Sequence, residues 1–144
     1  MKKLLFVFIT ITLCLTLTTC SQKSGKTEKV NIEIGASARL TSVEIEEAIN
    51  AVKKKFADFK GCALTQLWYD ETQSDYFIDG YMAGGHGSFN GVKKENVIVL
   101  LCTFTVDSSG GDGSFNPNST YDDWNWILIR DSENDPWRVD DWGY

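Results

Sequence analysis

The residues of this sequence that could do acid–base chemistry are few, and their spacing does not form a catalytic set. His86 is the only histidine, and it lies in the glycine-rich segment Gly84–Ser88. A catalytic imidazole needs an orienting partner and a nucleophile or substrate within reach, and the neighbouring sequence offers neither. No Gly-Lys-Ser/Thr follows these glycines, so they are not predicted to form a phosphate-binding loop. We therefore predict that His86 is an exposed loop residue.

Adjacent carboxylates occur at three places: Asp70-Glu71, Asp122-Asp123 and Asp140-Asp141. Neighbouring residues of a strand point to opposite faces, so none of these pairs is predicted to act as a catalytic dyad. The alternative is that carboxylates from different strands converge in one pocket, as they do in glycosidases.

Residues 107–118 are rich in Asp, Asn and Ser, whose oxygens are the ligands that calcium prefers. Their order does not match an EF-hand loop, and no Cys and His residues have zinc-site spacing. We predict a solvated turn here, and no metal, cofactor or catalytic residue in the chain.

Cys20 has the best-defined chemistry. Lys2-Lys3 precede a run of 16 mostly apolar residues from Leu4 to Thr19, which is short for a membrane span and typical of an export signal. The last four residues, Leu17 to Cys20, resemble the lipobox of bacterial lipoproteins, with Thr19 where Gly, Ala or Ser is usual. The resemblance implies cleavage of a signal peptide 1–19 and a lipid on the Cys20 thiol. The alternative is an ordinary secretory signal.

The expected lipid anchor is stable, because two or more acyl chains hold a protein where one would exchange. Palmitate would be a typical acyl chain, and the protein would lie on the extracytoplasmic face of the cell membrane. Residues 21–29 are polar, small and basic, so we predict a flexible tether over 20–36, followed by one domain from 37 to 144.

The mature chain is strongly acidic. Loss of Lys2 and Lys3 leaves 12 basic against 20 acidic side chains, a net charge of −8. Such a surface repels phosphate backbones, so nucleic acid is excluded as a partner.

Two further cysteines, Cys62 and Cys102, have two interpretations. Outside the cytoplasm they could form a disulfide, whereas the apolar run around Cys102 favours buried thiols.

Residues 41–60 have the pattern of an amphipathic helix. Thr41 and Glu44 have capping-box spacing, and Gly61 is a typical C-terminal stop. The apolar residues recur at helical spacing on one face: Ile45, Ala48, Ile49, Val52, Phe56 and Phe59.

The sequence after Gly61 favours strands at 63–69, 96–106, 121–131 and 137–144. Asp79-Gly80, between two short apolar runs, is typical of a two-residue hairpin turn. The strand at 96–106 is apolar on both faces, which predicts a central strand covered on both sides. One N-terminal helix followed by these strands predicts an α+β fold with the helix packed on an antiparallel sheet.

Four segments and the C-terminus carry a family resemblance: 56–64, 67–71, 97–101, 124–131 and 137–144. They resemble small secreted bacterial lipoprotein domains of unknown function, which are similar to the NTF2-like (cystatin-like) fold. The resemblance covers about 41–144 and implies a strongly curved sheet that wraps the helix. Members of that group carry a helical, charged segment after the Tyr-Asp-Glu step, whereas residues 74–91 here are glycine-rich and aromatic.

Tryptophans give the last candidate site. Trp124 and Trp126 share one strand face, and with Trp68 they could line a ligand pocket or fill the core. We expect a non-catalytic, lipid-anchored extracytoplasmic domain that binds an unknown ligand or envelope protein. The alternatives are an NTF2-like enzyme of the isomerase or hydrolase type, and an accessory or inhibitory subunit of an envelope complex.

Overall fold

The computed structural model describes residues 23–144, which form an α+β unit of two helices and a five-stranded sheet. The predicted signal peptide and Cys20 lie outside these residues. The elements follow one another in this order: β1 (Asn31–Ile34), α1 (Ser42–Phe56), β2 (Cys62–Tyr69), α2 (Glu71–Gly84), β3 (Val97–Val106), β4 (Thr120–Ile129) and β5 (Arg138–Gly143).

The sheet is open and mixed, with strand order β1-β2-β3-β4-β5. β2 to β5 pair antiparallel as a meander, while β1 pairs parallel to β2. The α+β class is confirmed, but two details of the prediction are wrong. The sheet is not purely antiparallel, and the first element is a strand rather than a helix, because the segment before α1 adds an edge strand.

Helix α1 begins as its capping box predicts. The Thr41 hydroxyl accepts from the Glu44 backbone N–H at 3.3 Å, and the Glu44 carboxylate accepts from the Thr41 N–H at 2.8 Å. The helix ends at Phe56 rather than Lys60, and Phe59 still packs into the same core. The predicted apolar face is therefore buried over its whole length.

Strand β3 is the centre of the molecule, as predicted. Ile98, Leu100 and Phe104 face α1 and the main core, whereas Val97 and Val99 face α2 and a second core. These five side chains are completely buried. One strand thus supports a helix on each face of the sheet.

Helix α2 replaces the predicted hairpin at Asp79-Gly80. Asp70 caps the helix by accepting from the Gln73 N–H at 2.9 Å, and Ser74, Ile78 and Tyr81 form its buried face. That spacing is helical and outweighs the local turn preference of Asp-Gly. The helical segment that the resemblance implies at this point is therefore present.

The described part of the predicted flexible tether is hydrogen-bonded to the end of α1 and to the sheet. The Gly25 N–H donates to Ala57 O at 3.0 Å, and the Lys26 N–H donates to Cys62 O at 3.0 Å. A Cβ at Gly25 would collide with the carbonyl oxygen of Phe56. From Lys23 onward the chain therefore belongs to the folded unit, and the tether prediction is wrong for this part.

Candidate functional site

A groove lies between α2 and the outer strands β4 and β5, because α2 packs against β3 and leaves the outer part of this sheet face open. We call it the α2 groove. It encloses about 640 Å³, within the range of small-molecule sites. The residues that line it are Tyr76, Phe77, Asp79, Gly80, Tyr81, Ala83, Gly85, Asn125, Ile127, Asp141, Trp142, Gly143 and Tyr144.

Aromatic side chains dominate the walls of the α2 groove. Tyr76 is 76% exposed and Tyr144 is 77% exposed, although large apolar rings are usually buried. Phe77 is half-buried and contacts the Tyr76 ring edge-to-face, with 5.5 Å between centroids. The groove thus presents the Tyr76 ring to solvent, whereas the Tyr144 ring packs against Trp124 of the α1 side, with 5.2 Å between centroids.

One buried amide opens onto this groove. Asn125 is 5% exposed, and its side chain makes no hydrogen bond with any residue from 23 to 144. The Asn125 amide is not among the buried side-chain groups of residues 23–144 that lack a hydrogen-bond partner, so its donor and acceptor reach the solvent in the groove.

The charges along the α2 groove are all negative. Asp79 and Asp141 are among the lining residues, and no lysine or arginine is among them. Lys94 forms an ion pair with Asp79 from outside the lining. A carboxylate of this groove therefore already accepts a primary ammonium group.

A register shift in β5 brings two adjacent carboxylates to the α2 side. Ile127 pairs with Asp141 and Leu128 pairs with Val139, so Asp140 is the extra residue of a β-bulge. Asp140 accepts from Tyr81 Oη at 2.6 Å, while Asp141 lines the groove. The alternation rule had predicted opposite faces for this pair, and the bulge is the reason that it does not hold here.

Asp140 also contacts His86, which the sequence left without a partner. His86 Nδ1 lies 3.3 Å from Asp140 Oδ2, in a 3-10 turn that follows α2. The imidazole is 52% exposed, as predicted for a surface residue. Residues 81, 86, 90 and 140 form one network, since Asn90 donates to Tyr81 Oη at 2.7 Å.

Tyr81 is the hydrogen-bond donor at the centre of this network. Burial raises the pKa of Tyr81, and its hydrogen bond to Asp140 raises it further. The phenol therefore keeps its proton at neutral pH and donates a hydrogen bond to Asp140. Within residues 23–144, the one side chain that hydrogen-bonds His86 is Asp140.

The three tryptophans of the predicted pocket are not brought together. Trp126 is fully buried in the main core, and Trp124 packs against the same core. Trp68 lies on the other face of the sheet and donates to Gln73 Oε1 at 3.1 Å. Successive side chains of β2 alternate, so Leu67 and Tyr69 take the core side and Trp68 cannot.

Cys62 and Cys102 are free, buried thiols, so the disulfide is not formed. Cys62 pairs with Val106 and Cys102 pairs with Leu67. Four residues of strand separate the two positions, roughly 13 Å, which exceeds the reach of a disulfide. Burial raises the pKa of Cys62 to about 11 and that of Cys102 to about 12.

Two features are not found in the described part of the chain. No group of three or more His, Cys, Asp or Glu side chains there could hold a metal ion. No helix in the same residues has the length and apolar character needed to cross a bilayer.

Comparison with other proteins places the chain in a family. A search of curated proteins and of solved structures gives no significant match. A family profile, described as a domain of unknown function (DUF4829), matches residues 36–143. This match runs from just before α1 to the end of β5 and includes every residue that lines the α2 groove except Tyr144. The chain therefore belongs to the DUF4829 family.

Proposed function

We propose that this protein is a lipid-anchored, extracytoplasmic, non-catalytic domain that binds a basic segment of an envelope protein in the α2 groove. The sequence around Cys20 supports the anchor and the location. One observation carries the binding proposal: the groove is lined by the exposed Tyr76 ring, by carboxylates and by the Asn125 amide, with no basic residue in its lining.

Each part of the lining suits a different part of a basic peptide. The exposed face of Tyr76 attracts a lysine or arginine side chain by cation–π interaction. Asp141 can form a charge-assisted hydrogen bond to the same cation. The Asn125 amide can donate to a peptide carbonyl and accept from a peptide N–H.

The test is an isothermal titration calorimetry experiment in which an oligoarginine peptide is added to the protein. Oligoglutamate of equal length is the control ligand. We expect binding of oligoarginine only. Asp141→Asn should weaken it about fivefold, the effect of roughly 1 kcal/mol at a partly exposed ion pair. Tyr76→Ala should weaken it by a similar factor.

Glu133→Gln is the matched control, because it removes one negative charge outside the α2 groove. It should leave the affinity unchanged. If Glu133→Gln weakens binding as much as Asp141→Asn, the attraction is general to the acidic surface and the groove is not the site. An absence of oligoarginine binding would also refute the proposal.

A second candidate is an enzyme of the isomerase or hydrolase type, and the His86–Asp140 contact favours it. An imidazole beside a carboxylate is the pair that general acid–base catalysis uses. If the parent protein hydrolyses p-nitrophenyl acetate and the Asp140→Asn variant does not, the enzyme candidate is supported. Equal hydrolysis by both proteins would rule out a role for this pair, and the binding proposal would stand.

The NTF2-like resemblance is part of the same proposal. The register shifts between neighbouring strands of the β2–β5 meander support a curved sheet, because bulges bend strands. An accessory subunit of an envelope complex would use the groove in the same way, with the complex as the source of the basic segment.

A further inference from the structure

The sheet has two free edges, and they differ in how they are protected. At one edge, β5 carries a bulge at Asp140 and the adjacent carboxylates of Asp140 and Asp141. Bulges and charged side chains keep an edge strand from pairing with another chain. At the other edge, β1 has no bulge, no proline and no lysine from Asn31 to Ile34. The β1 edge is therefore the one that can accept a further strand.

The free backbone groups of β1 belong to Ile32 and Ile34. The Gly35 N–H donates to Tyr69 O at 2.9 Å, so the backbone of Gly35 is directed at β2. Because these groups alternate in direction along a strand, the odd-numbered residues of β1 face β2 and the even-numbered residues face outward. Within residues 23–144, β2 is the one strand that pairs with β1. The outward N–H and C=O groups are therefore open to a neighbouring chain.

The side chains of the same two isoleucines are incompletely covered on the α1 face. Ile32 pairs with Leu67 and Ile34 pairs with Tyr69, and both partners contribute to the main core on that face. Ile32 is nevertheless 37% exposed and Ile34 is 38% exposed. On the α2 face, a depression of about 200 Å³ is lined by residues of β1 and β2 alone. A neighbouring strand therefore has room on both faces of this edge.

We propose that β1 of a second copy of this chain pairs antiparallel with β1, centred on Ile32, so that one sheet continues through both copies. Each Ile32 then lies opposite its equivalent, and each Ile34 lies opposite Val30 of the other copy. Val30 is half-buried against the main core, so these pairs extend the apolar surface across the contact. Such a two-fold arrangement is self-complementary, because the same surface of each copy makes the same contacts.

The polar residues of the edge select this alignment. Asn31 lies opposite Glu33 of the second copy, and an amide donor opposite a carboxylate acceptor is a favourable pair. Asn31 Nδ2 already donates to Glu33 Oε1 of its own copy at 2.9 Å, and the amide has a second N–H for the other copy. An alignment centred on Glu33 would place two carboxylates directly opposite each other, which is destabilising. The neighbouring charges, Glu28 and Lys29, are opposite in sign.

Cysteine cross-linking measures both the contact and its register. The paired segment is short, so we expect a weak dimer that is best trapped covalently. The Cα atoms of a hydrogen-bonded antiparallel pair are about 5.5 Å apart, within reach of a disulfide, so Ile32→Cys should give a linked dimer under mild oxidation. Ile34→Cys is the matched control, because it is equally exposed but the two copies of this position would lie roughly 14 Å apart. It should remain monomeric.

The assay uses the full chain, purified in detergent, with Cys14→Ser and Cys20→Ser. The remaining native thiols, Cys62 and Cys102, are buried. This background protein, oxidised in the same way, gives the level of any unrelated cross-link. Non-reducing electrophoresis measures the fraction of linked dimer.

An added charge tests the alignment independently. Asn31→Glu in the Ile32→Cys protein places a carboxylate opposite Glu33 on both sides of the two-fold axis. Two like-charged pairs directly opposite each other should slow the cross-linking about tenfold. Asn50→Glu is the matched control, because it makes the same substitution on the exposed side of α1. It should leave the rate of cross-linking unchanged.

Several results would overturn the proposal. If Ile32→Cys gives no linked dimer, the contact does not form. Equal linkage of Ile32→Cys and Ile34→Cys would show random collision, and linkage of Ile34→Cys alone would show a different register. Equal slowing by Asn31→Glu and Asn50→Glu would show that net charge controls the encounter. Because β1 lies at the opposite edge of the sheet from the α2 groove, none of these results depends on whether the groove binds a basic peptide.

Discussion

The two faces of the sheet differ in how completely they are packed. On the α1 face, Phe56, Phe104 and Trp126 are fully buried, and they contact one another in a continuous aromatic core. On the α2 face the core is smaller, and it borders the Tyr81–Asp140–His86 network and the open groove. The α1 face is packed continuously, while the α2 face leaves a groove open to solvent.

This division follows from the alternation of side chains along β3. The even-numbered residues Ile98, Leu100 and Phe104 contribute to the large core, and the odd-numbered Val97 and Val99 to the small one. A less densely packed face opens more easily and can adapt to a ligand. Substitutions on the two faces should therefore differ in how much they change the free energy of unfolding.

The largest effect is expected from a phenylalanine on the α1 face. Phe56→Ala removes a fully buried ring and leaves a cavity, so the free energy of unfolding should fall by about 3–5 kcal/mol. Phe89→Ala is the matched control near α2, because that ring is 76% exposed and should change stability by less than about 0.5 kcal/mol. Urea denaturation measures both. Similar losses for the two variants would contradict the division of the faces.

An intermediate effect is expected where α2 meets β3. Ser74 is completely buried, and its hydroxyl accepts from the Val99 N–H at 3.0 Å. Ser74→Ala leaves that N–H without its partner, which should cost about 1–3 kcal/mol. Ser108→Ala, at an exposed loop position, should have no measurable effect in the same denaturation assay. A neutral Ser74→Ala would mean that α2 contributes packing alone.

A smaller effect depends on pH and concerns the start of α1. The hydrogen bond from the Thr41 backbone lowers the pKa of Glu44, and Arg130 adds to this, with Arg130 Nη2 2.8 Å from Glu44 Oε1. A carboxyl with a lowered folded-state pKa stabilises the fold above its usual pKa of about 4.3 and loses that contribution as pH falls. We expect about 1 kcal/mol or less, since Glu44 is partly solvated.

The measurement is the melting temperature of the parent protein and of Glu44→Gln between neutral pH and about pH 3. The difference between the two proteins should shrink as the pH falls, because other carboxylates affect both equally. A difference that stays constant over this range would show that the Glu44 charge does not stabilise α1.

The sequence predicts the α1 face better than the α2 face, and packing explains the difference. The capping box at Thr41, the apolar face of α1 and the two-sided burial of β3 are periodic patterns that burial imposes on the sequence. The sequence likewise predicts both ends of each strand from β2 to β5 to within two residues. These features belong to the regular part of the fold.

The α2 side was missed where local and tertiary preferences conflict. Asp79-Gly80 favours a turn, whereas Ser74, Ile78 and Tyr81 have helical spacing. The packing of α2 against β3 decides in favour of the helix, and this contact cannot be seen in the local sequence. The contact between His86 and Asp140 depends on a bulge in β5, and the sequence has no pattern that marks a bulge there. The candidate site therefore could not be assembled from the sequence alone.

The smallest effect tests this conflict directly at Gly80. Gly80 lies within α2, away from its ends and on its exposed side, and a Cβ there would meet no atom within 4 Å. Alanine is a better helix former than glycine, so Gly80→Ala should raise the free energy of unfolding by about 0.5–1 kcal/mol. In the predicted hairpin, the same change would be destabilising, because such turns favour glycine at positive φ.

Gly61→Ala is the control for that case, since Gly61 has a φ of 70° and its Cβ would lie 2.6 Å from Ser109 Oγ. If Gly80→Ala raises the melting temperature and Gly61→Ala lowers it, α2 is a helix through Gly80. If both substitutions lower the melting temperature, the hairpin prediction is correct.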